Sequence, residues 1–240
     1  YCQGRDFIVP FDVDGLAPCA GTFHVQLSDA EGTFATPVTL ATVQVAYPFS
    51  LTATIPAQTL PGNNYRFRIL EADTSISGIS APFTVNPTPQ PTLSTPEIVH
   101  LCGGDSLVLD PGAFASYRWS TGDTTRKLVV REAGTYNVMV SNSQGCSEAS
   151  PSVHVEIHER PQPVITTTGS TPLCPGDSLV LSVGVYNSYK WSDGSTTASL
   201  VVKTGGSYHV TVSDGFECTG ISEPVEVTMY PALQKPSITN

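Results

Sequence analysis

The chain has 240 residues, only 13% of them charged, and its net charge of −10 is spread along its length. No basic patch is present to neutralise phosphates, which argues against nucleic-acid binding. No apolar run reaches the roughly 20 residues of a membrane-spanning helix, and no signal peptide is visible.

In chain order, "CQGRDFIVPF" reads as a cysteine, a turn and a strand, with no room for a strand ahead of Cys2. "DVDG" (12–15) begins like a calcium loop but lacks the regular ligand series and the terminal Glu, so it reads as a polar turn. In "TLPGNNYRFRI" (59–69), Tyr65, Phe67 and Ile69 alternate toward one face and are expected to point inward. "NPTPQPTLSTP" (86–96) is proline-rich and is expected to be a stiff, extended spacer, and "ERPQP" (159–163) joins the next pair of modules in the same way.

From Cys102 the sequence begins to repeat. Cys102 and Cys174, Trp119 and Trp191, and Tyr136 and Tyr208 all stand at one offset (174 − 102 = 191 − 119 = 208 − 136 = 72), as do Cys146 and Cys218, with no gap between them. A period of this size marks small modules, each one structural unit. "TYNVMV" alternates with Tyr136, Val138 and Val140 on one face, and "SVHVEI" with Val153, Val155 and Ile157 inward. Turn pairs stand between them: Pro111-Gly112, Thr121-Gly122, Ala133-Gly134 and Gln144-Gly145. In the second copy Asp193-Gly194 takes the Thr121-Gly122 place, a pair favoured in two-residue hairpins. No segment holds a helical period. The fold class is therefore all-β, with three tandem sandwich domains in an extended array: residues 1–86, 87–158 and 159–231. "KPSITN" near the C-terminus matches the openings "QPTLST" and "QPVITT", so residues 232–240 read as the start of a further repeat and the chain as a window on a longer array.

Trp119 and Trp191 fit a tryptophan on the third strand of an immunoglobulin-like sandwich, and Tyr136, Tyr208 and Tyr65 fit a tyrosine that ties back a strand corner; all five are expected to be structural core. A stacking platform for sugar is the competing role for the tryptophans. Val138 occupies the place where antibody domains carry an inter-sheet cysteine, so the usual bridge through the core is absent.

No catalytic constellation emerges: the five histidines are scattered, and there is neither a Gly-x-Ser-x-Gly elbow nor an HExxH motif. The expectation is no enzyme, no cofactor and no metal. "HVEIH" puts His154, Glu156 and His158 on one strand face, where a metal site could be built, but opposite inward valines that face reads as the solvent side. A binding module should carry exposed aromatics in its turns; Phe114 and Phe216 are the loop exceptions to an otherwise inward pattern.

The combined pattern C-x-G-D-S-L-V-L … Y-x-W-S-x-G … G-x-Y-x-V-x-V … C resembles the immunoglobulin-like or PKD-like repeats of very large surface proteins of gliding bacteria, which the type IX secretion system exports. "TLPGNNYRFRI" resembles the tyrosine corner of fibronectin type III modules. The resemblance covers residues 90–230 and implies an extracellular, cell-surface location and a role in adhesin stalks, with accessory glycan- or protein-binding modules of secreted proteins as the alternative. It also implies partners among adjacent domains of the same chain, surface glycans or other surface proteins. Asp105-Ser106, Asp177-Ser178, Asp73-Thr74 and Asp123-Thr124 resemble the short motif glycosylated in that group, although such dipeptides also open strands and turns.

In an exported chain, six cysteines falling two per module imply disulfides rather than metal thiolates. Pairing within modules (Cys2–Cys19, Cys102–Cys146, Cys174–Cys218) is the plain alternative. In this fold, however, the first cysteine precedes the second strand, and the second follows the sixth strand at the opposite end. A six-residue strand separates those ends by about 20 Å, whereas bridged Cα atoms lie within about 7 Å. Head-to-tail stacking favours Cys2–Cys146 and Cys102–Cys218, with Cys19 and Cys174 left for neighbours. Free thiols are the third possibility.

Overall fold

Short runs with an apolar side chain at every second position bury one face only by pairing into sheets and stacking those sheets in two layers. The computed structural model describes residues 1–9, 21–45, 51–71 and 76–231. Among these residues there are 24 strands and no helix. They form β-sandwich domains, small sheets closed over buried apolar cores. The chain divides into two compact units, the first comprising residues 1–94, 109–128 and 136–152, and the second 95–108, 129–135 and 153 onward.

The N-terminal sandwich contains β1 (Asp6–Val9), β2 (Gly21–Leu27), β3 (Val38–Val45), β4 (Leu51–Thr54), β5 (Gly62–Tyr65), β6 (Phe67–Glu71), β7 (Ile76–Ile79) and β8 (Phe83–Val85). One sheet runs β3-β2-β6-β7, while β1 pairs with β4 and β5 with β8. Val25, Leu27, Ile55, Tyr65, Phe67 and Val85 are buried at its centre. Phe67 stacks between Phe7 and Phe83 at 4.6 and 4.1 Å, and the Tyr1 ring meets all three edge-on. The Tyr65 hydroxyl donates to the Leu60 carbonyl at 2.8 Å and closes the corner that enters β5.

The middle repeat holds β9 (Ile98–Cys102), β10 (Leu107–Leu109), β11 (Ser116–Trp119), β12 (Leu128–Val130), β13 (Gly134–Tyr136), β14 (Val138–Ser141), β15 (Ser147–Ala149) and β16 (Val153–His158). The last repeat holds β17 (Thr166–Thr168), β18 (Leu179–Ser182), β19 (Ser188–Trp191), β20 (Ser199–Val202), β21 (Gly206–Tyr208), β22 (Val210–Ser213), β23 (Thr219–Ile221) and β24 (Val225–Val227). The sheet β11-β14-β15 in the first unit and the sheet β19-β22-β23 in the second have the same register: Trp119 lies opposite Val138 and Trp191 opposite Val210. Both tryptophans are buried, and their Nε1 groups donate to the Thr125 and Thr197 carbonyls at 2.9 and 2.8 Å. The Tyr208 hydroxyl donates to the Thr204 carbonyl at 3.1 Å, and Tyr136 is buried.

In the middle repeat the first strand meets the last in parallel, and in the other two modules an isolated parallel bridge stands at the corresponding place. β9 pairs with β16 from Ile98↔His154 to Cys102↔His158. The bridges are Cys2↔Asn86 and Leu173↔Met229.

Three details differ from the periodic reading. "TYNVMV" is broken at Asn137 into β13 and β14. Asp193-Gly194 does not close a hairpin, because β19 pairs with β22 and the chain leaves toward β20 in the other sheet. Ile157, expected inward, is 37% exposed, whereas Val153 and Val155 are buried. Beyond Val155 the inward alternation lapses, and it is the His158 ring that is covered, by Phe216.

Replacing Trp191 by Ala removes the largest side chain of the last repeat's core. Chemical denaturation should show a loss of about 3–5 kcal/mol for that module, and a variant that unfolds like wild type would contradict its core role.

Candidate functional site

The second cysteine of each repeat sits on a turn built to hold it. Between β14 and β15, Asn142 Oδ1 accepts the N–H groups of Gln144 and Cys146 at 3.1 and 2.9 Å, and the Asn142 N–H donates to the Cys146 carbonyl at 2.9 Å. Asp214 does the same for Phe216 and Cys218 between β22 and β23. The residue before each cysteine has a left-handed backbone: Gly145 at φ 81° and Glu217 at φ 66°. This is the region that favours glycine, so Glu217 holds it only because the surrounding turn demands it. The first cysteines close another recurrent turn, with the N–H groups of Asp105 and Asp177 donating to the carbonyls of Cys102 and Cys174.

Cys2 is bonded to Cys146 with Cα atoms 5.6 Å apart, and Cys102 to Cys218 with Cα atoms 5.5 Å apart. The first bond lies within the first compact unit and the second within the second, and the alternative pair Cys102–Cys146 is not formed. Cys146 and Cys218 are buried. Cys174, equivalent to Cys102, is a free and exposed thiol. Cys19 lies outside the described residues.

Polar contacts surround both bonds. The Arg5 guanidinium donates to the Ser147 carbonyl and lies 3.7 Å from Glu148. The Arg160 guanidinium donates to the carbonyls of Gly103 and Thr219 at 3.0 and 3.5 Å and to Asp105 Oδ1 at 2.7 Å. Ser147 and Thr219 are equivalent positions, each directly after the second cysteine. Asn142 Nδ2 donates to the Pro87 carbonyl of the spacer at 2.8 Å. Gly220 lets the linker lie against β23, since a Cβ there would stand 1.7 Å from the Pro161 carbonyl oxygen.

The remaining sequence candidates are placed as follows. Asp123 accepts the Thr125 hydroxyl and N–H groups at 2.6 Å, bonds that hold its carboxyl below the usual range, and Asp105 is engaged by Arg160. Phe114 is half-buried, its N–H donating to the Tyr117 hydroxyl. "DVDG" and Asp73-Thr74 lie outside the described residues. His154, Glu156 and His158 do project from one face of β16, but the pairing of β9 brings His100 to Glu156 and His158. Single-strand periodicity could not show that neighbour; only knowledge of the parallel partner strand would have found it. Three buried serines were also missed: Ser28, Ser150 and Ser222 each accept a backbone N–H from a distant segment, that of Arg66, Val138 or Val210. Each stands directly after the end of a strand, at Leu27, Ala149 or Ile221, where strand periodicity carries no signal of such a role.

No family model and no curated protein matches this sequence. Among solved structures it is similar to extracellular domains 3–5 of Drosophila OTK, at 14% identity over 96% of this chain and 93% of that one, with a TM-score of 0.35. It is also similar to murine CEACAM1b, at 13% identity over 59% of this chain and 99% of that one, with a TM-score of 0.32. A third is the Bacteroides ovatus glucan-locus protein SGBP-B in complex with a mixed-linkage heptasaccharide, at 12% identity over 95% and 65% of the two chains, with a TM-score of 0.22. At these scores the likenesses say nothing of what this chain binds.

Native alkylation without reductant should label Cys174 and leave Cys2, Cys102, Cys146 and Cys218 unlabelled. Peptide mapping of the same sample should yield linked Cys2–Cys146 and Cys102–Cys218 peptides, and a linked Cys102–Cys146 peptide would refute this connectivity.

Proposed function

We propose that this chain is a non-catalytic stalk segment of a large bacterial cell-surface adhesin, built of three β-sandwich modules at residues 1–86, 87–158 and 159–231 and exported by the type IX route. The observation that supports it is the direction of the disulfides, which run from module to module. Bonds inside a module would stabilise that module; bonds between modules resist hinge motion and carry tension. The two repeats also share their framework far better than their loops, with "SNSQG" against "SDGFE", as suits a rod rather than a recognition surface. Cys174 offers the half-bond with which a further module of the same design would be stapled.

The covalent path explains how such a segment would bear force. Pulled from its ends, tension enters at Cys2, crosses to Cys146, runs back along the middle repeat to Cys102 and crosses to Cys218. Only the 44 residues between Cys146 and Cys102 (146 − 102 = 44) lie on that path, against 216 in the reduced chain (218 − 2 = 216). At about 3.4 Å per extended residue these lengths are ~150 Å and ~730 Å. Single-molecule force spectroscopy should show extension between residues 2 and 218 limited to the shorter length when oxidised and rising to the longer one after reduction. Equal extension in both states would contradict the stalk reading. Specific capture of a glycan or matrix protein by the oxidised chain, lost on substitution in the "SDGFE" loop, would favour a binding module instead.

A further inference from the structure

The parallel register of β9 and β16 sets His100 opposite Glu156 and Cys102 opposite His158. Alternate strand residues share a face, so His100, Glu156 and His158 converge. His100 Nδ1 lies 3.0 Å from His158 Nε2 and 3.1 Å from Glu156 Oε2, and that oxygen lies 3.7 Å from His158 Nε2. We propose that these three side chains form a binding site for a divalent transition-metal ion of the zinc type.

The distances suit such an ion. Donors bound tetrahedrally at 2.0–2.1 Å lie ~3.3–3.4 Å from one another, and the observed edges of 3.0, 3.1 and 3.7 Å bracket that value. A point ~2.05 Å from all three atoms stands ~0.7 Å out of their plane, close to the height expected for a regular tetrahedron, one third of the bond length. The spacing of the three donor atoms therefore admits the ion. His100 and Glu156 are 41% and 42% exposed, so the fourth position faces solvent and takes water. Two imidazole nitrogens and one carboxylate oxygen select zinc and its neighbours over calcium or magnesium, which take six or more oxygen ligands or retain their waters.

The site is held in shape by the junction. The His158 ring stacks on Phe216 at 3.6 Å with the planes 14° apart, and Phe216 also lies 4.9 Å from His100. Phe216 is two residues from Cys218, which is bonded to Cys102, itself two residues from His100. On the outer side Glu156 Oε1 faces His154 Nε2 at 3.8 Å, and His154 Nδ1 is 3.1 Å from Thr135 Oγ1, the kind of outer contact that orients a ligating carboxylate. The fold does not require these residues. At the equivalent positions, 72 further on, the last repeat has Pro172, Thr228 and Tyr230. The donor set was thus placed on one repeat over a framework that both repeats share.

The test is calorimetric titration of Zn²⁺ into the oxidised chain carrying Cys174→Ser, which removes the free thiol as a competing ligand. One zinc per chain should bind with a dissociation constant of about 10 μM or tighter. His100→Ala and Glu156→Gln should each weaken binding at least about tenfold, while His24→Ala and His209→Ala leave it unchanged. Both ligand positions are on the surface, and non-reducing peptide maps and circular dichroism of each variant should match the parent. Co²⁺ should give the intense visible bands of a tetrahedral site in the parent and lose them in both ligand variants. Absence of saturable zinc binding, or equal binding by His100→Ala or Glu156→Gln, would overturn the proposal.

Discussion

The parallel contact at each first cysteine, a strand pair in the middle repeat and a single bridge in the other two modules, is the constraint on which the rest depends. It fixes each first cysteine beside the end of its own module: Cys2 bridges Asn86, Cys102 lies opposite His158, and Cys174 follows the Leu173↔Met229 bridge. The second cysteine leaves the module from the turn between its sixth and seventh strands, held by Asn142 or Asp214. The first cysteine of one cysteine pair therefore meets the second cysteine of the next pair along the chain, Cys2 with Cys146 and Cys102 with Cys218. The enclosed separations, 144 and 116 residues, are long enough that the chain-entropy estimate gives about 4–5 kcal/mol per bond. The two loops overlap in sequence between Cys102 and Cys146.

The noncovalent contacts at the junctions follow from this arrangement. A guanidinium on the carbonyl just after the second cysteine recurs at both junctions, from Arg5 and from Arg160, although the two arginines hold unrelated positions in their modules. Exposed ion pairs such as Arg5–Glu148 contribute little by themselves. Gly220 under Pro161 acts through close backbone approach. The bond, the guanidinium and the packed linker thus act on the same short segments.

Much of this was legible from residues alone. The 72-residue offset located the tryptophans, the corner tyrosines and the cysteine turns because those features depend on local chemistry: bulk, left-handed backbone, Asx hydrogen bonds. The departures arose where a second chain segment decides the outcome. Ile157 faces solvent, although its alternation points inward, because the neighbouring His158 is the residue covered, by Phe216 from the next repeat. His100 gave no signal by itself and acquires its neighbours only through the register of β9. The serines at 28, 150 and 222 satisfy backbone groups of a distant segment, which no periodicity records.

The central claim is that successive modules are covalently joined. A protease site inserted in the "ERPQP" linker (159–163) tests it directly, since cleavage there cuts the backbone between the middle and last repeats. The Cys102–Cys218 bond predicts that the two fragments stay together in denaturant without reductant and separate only when reduced. Fragments that part in denaturant alone would mean that Cys102 and Cys218 are not bonded to each other, and would contradict the account.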